Sequence, residues 1–157
     1  MTFSIVGMCE RAAMAGVAIT TSSISVGSRC PWVRVGAGAV ATQNVTDPSI
    51  GNEMLDLMAQ GVDAPSALAS VMDERPFAQY RQVTAVDLRG NIAECTGSEI
   101  LGTHAVSHGS QCVAAGNLLS STGVPVAMTE GFAQHAGSHL AERLLCALEA
   151  GVAAGGE

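Results

Sequence analysis

The chain has 157 residues, of which 48% are hydrophobic, 13% are charged and 3% are aromatic. Its formal net charge is −7, and every basic residue is an arginine. This balance excludes nucleic acid as a partner, because nucleic acid requires a basic surface, and it disfavours an anionic membrane surface. The length predicts one domain over residues 1–157.

No run approaches the roughly 18 consecutive apolar residues of a membrane span. The N-terminus lacks the basic flank of a signal peptide, so we expect a cytoplasmic protein. The five cysteines are scattered without a C-x-x-C pair, which predicts neither a disulfide framework nor a zinc site. His104 and His108 share metal-ligand spacing, but glycines bracket them and the region is typical of a loop. We expect no metal and no cofactor.

The N-terminal part of the chain has the pattern of β-structure. Phe3–Val6 and Gly16–Thr21 are short apolar runs that predict a hairpin. Val33–Gln43 predicts a third strand, with internal glycines that indicate a bulge or a close backbone contact. Ser22–Trp32, between the second and third strands, predicts a loop of a length that is often functional.

Helical patterns follow. Asp47–Asn52 has turn chemistry, and Glu53–Gln60 predicts a helix ended by Gly61. Asp63 is the predicted N-cap of a second helix, which carries Pro65 in its first turn.

The C-terminal half repeats this order. Arg81–Leu88 and Ile92–Thr96 predict a hairpin, and Gln111–Leu118 predicts a further strand. Pro125–His135 and Ser138–Ala150 predict two helices, with Ser138 as N-cap of the second. Strands followed by helices, twice, favour an α+β fold with antiparallel sheets and outer helices.

The first two residues offer a catalytic group. Removal of Met1 would leave Thr2 with a free α-amine, whose pKa is roughly 7.7–8.0. A neutral amine beside the hydroxyl of the same residue is a built-in general base, and threonine paired with an N-terminal amine is a known activated nucleophile. The alternative is an ordinary start, since many unrelated proteins begin Met-Thr. Cys95 has no visible base, and a buried structural thiol is the better interpretation of it.

Neutral hydrogen-bonding groups stand at predicted strand ends. Thr42 and Gln43 end the third strand, and Asn117 ends the last one. Amide donors in such positions suit substrate binding or an oxyanion hole, which we assign to Gln43 and Asn117, with Thr42 binding substrate. The alternative for all three is turn capping.

Four further residues are candidates for binding substrate. Ser23 lies in the long loop, where hydrogen bonding within the loop is the alternative. Arg34 would hold a substrate carboxylate in a bidentate contact, or face solvent. Thr96 and Gly97 follow a predicted strand and are assigned to substrate binding, again with turn capping as the alternative.

Motifs along essentially the whole chain carry a specific resemblance to known proteins. In chain order these are Met1–Val6, Val26-Gly27, Pro31-Trp32, Gly36–Gln43, Arg81–Val83, Thr96-Gly97, Gly116-Asn117, Leu140–Leu145 and Ala153–Gly156. They resemble the family called domain of unknown function 1028, which is grouped by fold with the N-terminal-nucleophile hydrolases. The resemblance implies a four-layer αββα sandwich, with two antiparallel sheets between helix layers.

Two departures from the family accompany this resemblance. Relatives continue past the final Gly-Gly motif with at least one more strand, so we expect C-terminal strands to have been trimmed, cleaved or supplied elsewhere. Proteasome-like members of the superfamily tune their terminal threonine with a lysine, and this chain has none. Any mechanism based on Thr2 must therefore use its own amine.

Two functions follow as hypotheses. The first is a hydrolase that cleaves an amide or other C–N bond of a small polar substrate through Thr2. The second is a catalytically inactive relative that keeps the fold for small-molecule binding or assembly. The Met-Thr start favours the first hypothesis, and the absence of lysine favours the second.

We predict that the protein forms a homodimer or a higher homo-oligomer. A charged fraction of 13% leaves much surface weakly solvated, and a sheet edge unpaired for want of its final strand is a template for another chain. Light scattering at micromolar concentration should give at least twice the chain mass of 15.9 kDa. A particle with the mass of one chain would contradict the prediction.

Overall fold

This computed structural model describes residues 2–157, which form eight β-strands and four α-helices. The strands are β1 Thr2–Cys9, β2 Met14–Thr21, β3 Pro31–Arg34, β4 Gly38–Asn44, β5 Arg81–Asp87, β6 Ile92–Thr96, β7 Ala105–Gly109 and β8 Cys112–Asn117. The helices are α1 Pro48–Ala59, α2 Ala64–Met72, α3 Val124–Gln134 and α4 Leu140–Ala153. The predicted removal of Met1 concerns a residue outside this range.

The strands form two antiparallel sheets of four strands each. The strand order is β2-β1-β8-β7 in the first sheet and β3-β4-β5-β6 in the second. Neighbouring strands run antiparallel in both sheets. The predicted α+β class with antiparallel sheets is therefore confirmed.

The alternation of side chains along β1 determines what each face of the first sheet contacts. Phe3 and Ile5 belong to an apolar cluster with residues of α3 and α4. Val6 and Met8 belong to a cluster with residues of the second sheet. Because successive side chains point to opposite faces, Thr2 lies on the face that meets the other sheet.

Three apolar clusters hold these elements together. α1 and α2 pack on the second sheet, and α3 and α4 pack on the first. The two sheets face each other through a smaller cluster, composed of Val6, Met8, Ala39, Ala41, Val86 and Val113. Alanines in this cluster allow the sheets to approach closely, as efficient interior packing requires.

The predicted single strand over 33–43 is wrong in detail, because the chain reverses direction within it. β3 and β4 pair with each other, with Arg34 opposite Gly38. Gly36 lies in the connecting turn at a φ of +80°, which glycine adopts without steric cost. Gly36 therefore forms a turn where a bulge or a close backbone contact is predicted. The close contact is found at Gly38, the first residue of β4, where a β-carbon would stand 2.2 Å from the Val86 carbonyl oxygen.

One strand is absent from the sequence-based prediction. β7 includes His108, where the sequence pattern predicts a loop, and it pairs with β8. The strand has only five residues and contains no long apolar run, so the sequence pattern is weak. Gly109 is the last residue of the strand and Gly102 precedes it, so neither glycine interrupts it.

Two helix starts also differ from the prediction. α1 begins at Pro48 because the Asp47 side chain caps it by accepting the Ser49 amide, so part of the predicted turn is helical. α4 begins at Leu140, and its cap is His139, not Ser138. Asp63 caps α2 as predicted, by accepting the Ser66 amide. None of the helices within residues 2–157 combines the length and apolar character that crossing a bilayer requires.

We predict that Gly97→Ala lowers the free energy of unfolding by about 1–3 kcal/mol, through overpacking. A β-carbon at Gly97 would stand 2.2 Å from the Gln79 carbonyl oxygen, and a backbone atom cannot rotate away. Urea denaturation measures the change. Gly27→Ala is the control, since a β-carbon there meets nothing within 4 Å. Equal stability of the two variants would contradict this account of Gly97.

Candidate functional site

A small cavity of about 110 Å³ lies where β1 begins and where β2, β4 and β8 end. Its polar lining residues are Thr2, Thr21, Ser23, Arg29, Gln43, Asn44 and Asn117. Val26, Cys30, Leu101 and Leu118 complete it. The volume corresponds to about four water molecules at roughly 30 Å³ each, so it admits only a small chemical group.

The register of the first sheet positions Thr2 in this cavity. Thr2 lies opposite Thr21 on β2 and opposite Asn117 on β8. The hydroxyl oxygens of Thr2 and Thr21 are 2.9 Å apart, within hydrogen-bonding distance. A residue at the end of a central strand is thus held from both sides and keeps a fixed position.

A buried network of side-chain hydrogen bonds joins the two sheets beside Thr2. Ser4 donates through its hydroxyl to Oε1 of Gln43 at 2.7 Å, and Nε2 of Gln43 donates to Oε1 of Gln82 at 2.7 Å. Asn117 donates through Nδ2 to the same Gln82 oxygen at 3.4 Å. Nε2 of Gln82 donates to the Gly116 carbonyl at 3.3 Å. The second sheet thereby bonds to β1 and β8 of the first.

This network fixes the orientation of two amides that line the cavity. The Gln82 side chain is completely buried, and the Gln43 and Asn117 side chains are nearly so. An amide NH2 group carries two N–H donors, and the bond to Gln82 uses one on each amide. The second donor on each is the kind of group that stabilises a negatively charged oxygen in a transition state.

The loop between β2 and β3 supplies the charged part of the lining. Nη2 of Arg29 donates to the Ser23 hydroxyl at 2.6 Å and to the Ile24 carbonyl at 2.9 Å. Thr42 holds the same loop from β4, because its hydroxyl donates to the Arg29 carbonyl and its amide to the Cys30 carbonyl. Thr42 therefore supports the cavity without lining it.

Cys30 and Cys95 are poorly suited to nucleophilic attack. Burial raises the pKa of Cys30, outweighing the opposing effects of the Arg29 charge and a hydrogen bond with Thr46. Burial also raises the pKa of Cys95, with a further increase from the negative charge of Glu94. Both residues are therefore held as neutral thiols, the less reactive form.

Four of the eight sequence-predicted site residues line the cavity together: Thr2, Ser23, Gln43 and Asn117. Arg34 does not, because it ends β3 opposite Gly38, at the far end of β4 from Gln43, and forms an ion pair with Asp56. Neither Thr96 nor Gly97 is among the lining residues, since both are carried by the outer strand β6 and its end.

Sequence reasoning missed Thr21 and Arg29, which line the cavity, and Gln82, which lies behind it. Gln82 and Thr84 alternate with Val83 and Ala85 along β5, which is a typical pattern of a strand with one solvated face. The first sheet covers that face instead, and the polar residues become buried. Thr21 and Arg29 required the β1–β2 register and the path of the loop, which no local pattern provides.

The cavity offers polar donors and acceptors with little charge. Arg29 is the only charged side chain among its lining residues within 2–157. The same part of the chain has no cluster of three or more His, Cys, Asp or Glu side chains placed to hold a metal ion. A hydroxyl, two oriented amides and one guanidinium can bind a small polar molecule and stabilise negative charge on it.

Two antiparallel four-stranded sheets and four helices place the protein in the α+β class. The chain belongs to the family of unknown function DUF1028, whose model matches residues 2–157. It is similar to protein SPO2555 from Silicibacter pomeroyi, a DUF1028 protein with a crystal structure. The two chains are 32% identical with a TM-score of 0.91, over 98% of this chain and 68% of the other. No curated protein matches the chain.

We predict that Gln82→Met lowers the free energy of unfolding by at least about 1–3 kcal/mol. The variant keeps a side chain of similar length, but the buried amides of Gln43 and Asn117 lose their shared acceptor. Urea denaturation measures the loss.

Thr84→Val is the matched control, two residues along the same face of β5. The Thr84 hydroxyl is buried and has no hydrogen-bond partner among the described residues, so its removal should leave stability unchanged or raise it. If both variants lose the same stability, the amide network has no special role.

Proposed function

We propose that this protein is an N-terminal-nucleophile hydrolase that cleaves an amide or related C–N bond of a small polar molecule. The observation that carries the proposal is that the Thr2 hydroxyl shares one small cavity with the amides of Gln43 and Asn117. A nucleophile and oxyanion donors around one site for a reacting atom form the arrangement that acyl transfer requires.

In the proposed mechanism, Oγ1 of Thr2 attacks the substrate carbonyl carbon and its proton passes to the α-amine of the same residue. The carbonyl oxygen becomes negatively charged and accepts hydrogen bonds from the Gln43 and Asn117 amides. Collapse of this intermediate breaks the C–N bond, and the protonated α-amine returns a proton to the leaving nitrogen. Water then attacks the resulting ester by the reverse sequence and frees Thr2.

The electrostatic contribution of the amides is the largest that we assign to the protein. One well-placed oxyanion donor contributes roughly 2.7–4 kcal/mol to transition-state stabilisation. Donors of this kind act best when they are oriented before substrate binds, since no reorganisation is then needed. The hydrogen bonds of Gln43 and Asn117 to buried Gln82 provide such orientation.

The architecture also supports the proposal. We infer an αββα arrangement of the N-terminal-nucleophile type, because α1 and α2 contact one sheet, α3 and α4 contact the other, and the sheets contact each other. A cavity of about 110 Å³ suits the reacting end of a small substrate. A peptide chain would need a longer groove.

The absence of lysine favours a second candidate function. A hydrolase of this type without a lysine near its threonine depends entirely on the α-amine for proton transfer. If that amine is blocked or poorly placed, the same cavity serves a small-molecule-binding protein. Both functions use the same lining residues, so turnover and binding must be measured separately.

We predict that Thr2→Ala reduces turnover by orders of magnitude once a substrate is found. The screen should cover small amides, ureides and acyl amino acids, with release of amine or ammonia as the readout. Thr2→Ser should retain partial activity because it keeps both the hydroxyl and the amine. Cys95→Ala is the control, since that thiol is outside the cavity and has a raised pKa.

Intact-mass measurement belongs to the same experiment, because retention of Met1 would remove the proposed base. Two results would reject Thr2 as the nucleophile: full activity in Thr2→Ala, or loss of activity in Cys95→Ala.

A further inference from the structure

Arg29 stands out among the residues around the cavity. The chain carries 14 acidic and 7 basic residues, yet no acidic residue lines this cavity and one arginine does. The site is thus a locally positive region in a negatively charged protein. A cavity with this charge attracts anions in preference to cations.

The bonding of Arg29 differs from that of the four arginines that pair with carboxylates, which are Arg34, Arg75, Arg81 and Arg89. Arg34 pairs with Asp56, and Arg75 pairs with Asp47 and Glu53. Both side-chain bonds of Arg29 go to neutral oxygens, and both use Nη2. Within residues 2–157 no carboxylate forms an ion pair with it, so Nε and Nη1 retain donors for a ligand.

A chain of contacts connects this guanidinium to the nucleophile. Arg29 donates to the Ser23 hydroxyl, and the Ser23 amide donates to the Thr21 hydroxyl oxygen at 3.1 Å. The Thr21 hydroxyl lies 2.9 Å from that of Thr2. Ser23 is therefore a positioning residue, which fixes the guanidinium relative to the site of attack.

We infer that the substrate is a short amide that carries a carboxylate, and that Arg29 binds this carboxylate. The inference rests on the proposed function and names the class of molecule on which that site acts. The sequence pattern indicates Arg34 for this role. In the structure Arg34 ends β3, away from the cavity, and pairs with Asp56, so Arg29 takes the role instead.

The shape of the group favours a carboxylate. A guanidinium is a planar fork of donors, and it matches the two oxygens of a carboxylate in one plane. An amide and a carboxylate separated by one carbon span only a few atoms, which suits a cavity of about 110 Å³. The charge of Arg29 also reaches the interior, where it acts to lower the pKa of Cys30 against the larger effect of burial.

Malonamate and malonamide provide the test, because they are nearly equal in size and differ by a carboxylate in place of an amide. Their affinities should be measured by calorimetric titration of Thr2→Ala protein, so that binding is separate from hydrolysis. We expect malonamate to bind about 10- to 100-fold more tightly, the range for hydrogen bonds to a charged group. Arg29→Gln, made in the same background, should abolish this preference. Arg34→Gln should preserve it, as the matched arginine outside the cavity.

Several outcomes would overturn the inference. The first is an Arg29→Gln variant that still prefers malonamate to malonamide. The second is equal affinity for the two compounds, which includes no binding of either at millimolar concentration. The third is inorganic phosphate that binds more tightly than malonamate. If Arg29→Gln does not fold, Arg29→Lys takes its place in the test, because lysine keeps the positive charge but lacks the planar set of N–H donors. The preference should then fall several-fold, and an unchanged preference would again reject Arg29.

Turnover of malonamate by protein with Thr2 intact is measured alongside. If the protein prefers malonamate in a way that depends on Arg29 but hydrolyses no amide in the screen, the proposed hydrolase is contradicted. The carboxylate site at Arg29 is then still supported.

Discussion

The side-chain oxygen of Gln82 accepts hydrogen bonds from two amides, one on its own sheet and one on the facing sheet. A completely buried polar group of this kind is costly unless it is paired, and its pairing depends on the relative position of both sheets. A shift of one sheet along the other would break the bonds of Gln82 with Asn117 and Gly116, and the bond of Ser4 with Gln43. The network therefore favours a single arrangement of the sheets, and that arrangement brings Thr2 beside both amides.

The space between the sheets is divided along its length. At one end, Val6, Met8 and several alanines form an apolar cluster that stabilises the contact without any directional preference. At the other end, Ser4, Gln43 and Gln82 replace apolar contact with hydrogen bonds. Stability and precise orientation thus come from different segments of the same strands. This division permits a polar cavity at the edge of a tightly packed core.

The elements that sequence patterns predicted are those whose information is local. The β5–β6 hairpin, the Asp63 cap of α2 and the polar strand end at Gln43 each depend on a few adjacent residues. β7 was missed because a five-residue strand with polar side chains carries little periodic signal. Its place in the sheet depends on pairing with β8, which follows it in the chain.

The site residues also separate into those that local sequence predicts and those that depend on distant parts of the chain. Thr2, Gln43 and Asn117 could be selected from their chemistry and their positions at strand ends. Gln82 could not, because a polar residue that alternates with apolar ones is typical of a solvent-facing position, and only the packing of the first sheet against β5 buries it. Arg29 and Arg34 are both arginines near β3, and only the three-dimensional path of the loop separates the one that faces the cavity from the one paired with Asp56.

The most direct test of the central claim, that Thr2 is an activated nucleophile in this cavity, is covalent labelling by a small activated ester. The protein is incubated with p-nitrophenyl acetate at neutral pH, quenched in acid and mapped by mass spectrometry. The account predicts a burst of p-nitrophenol with one acetyl group on the N-terminal peptide, and no burst in Thr2→Ala, which keeps the α-amine but lacks the hydroxyl. An equal burst in Thr2→Ala, or an acetyl group found on a cysteine peptide instead, would contradict it.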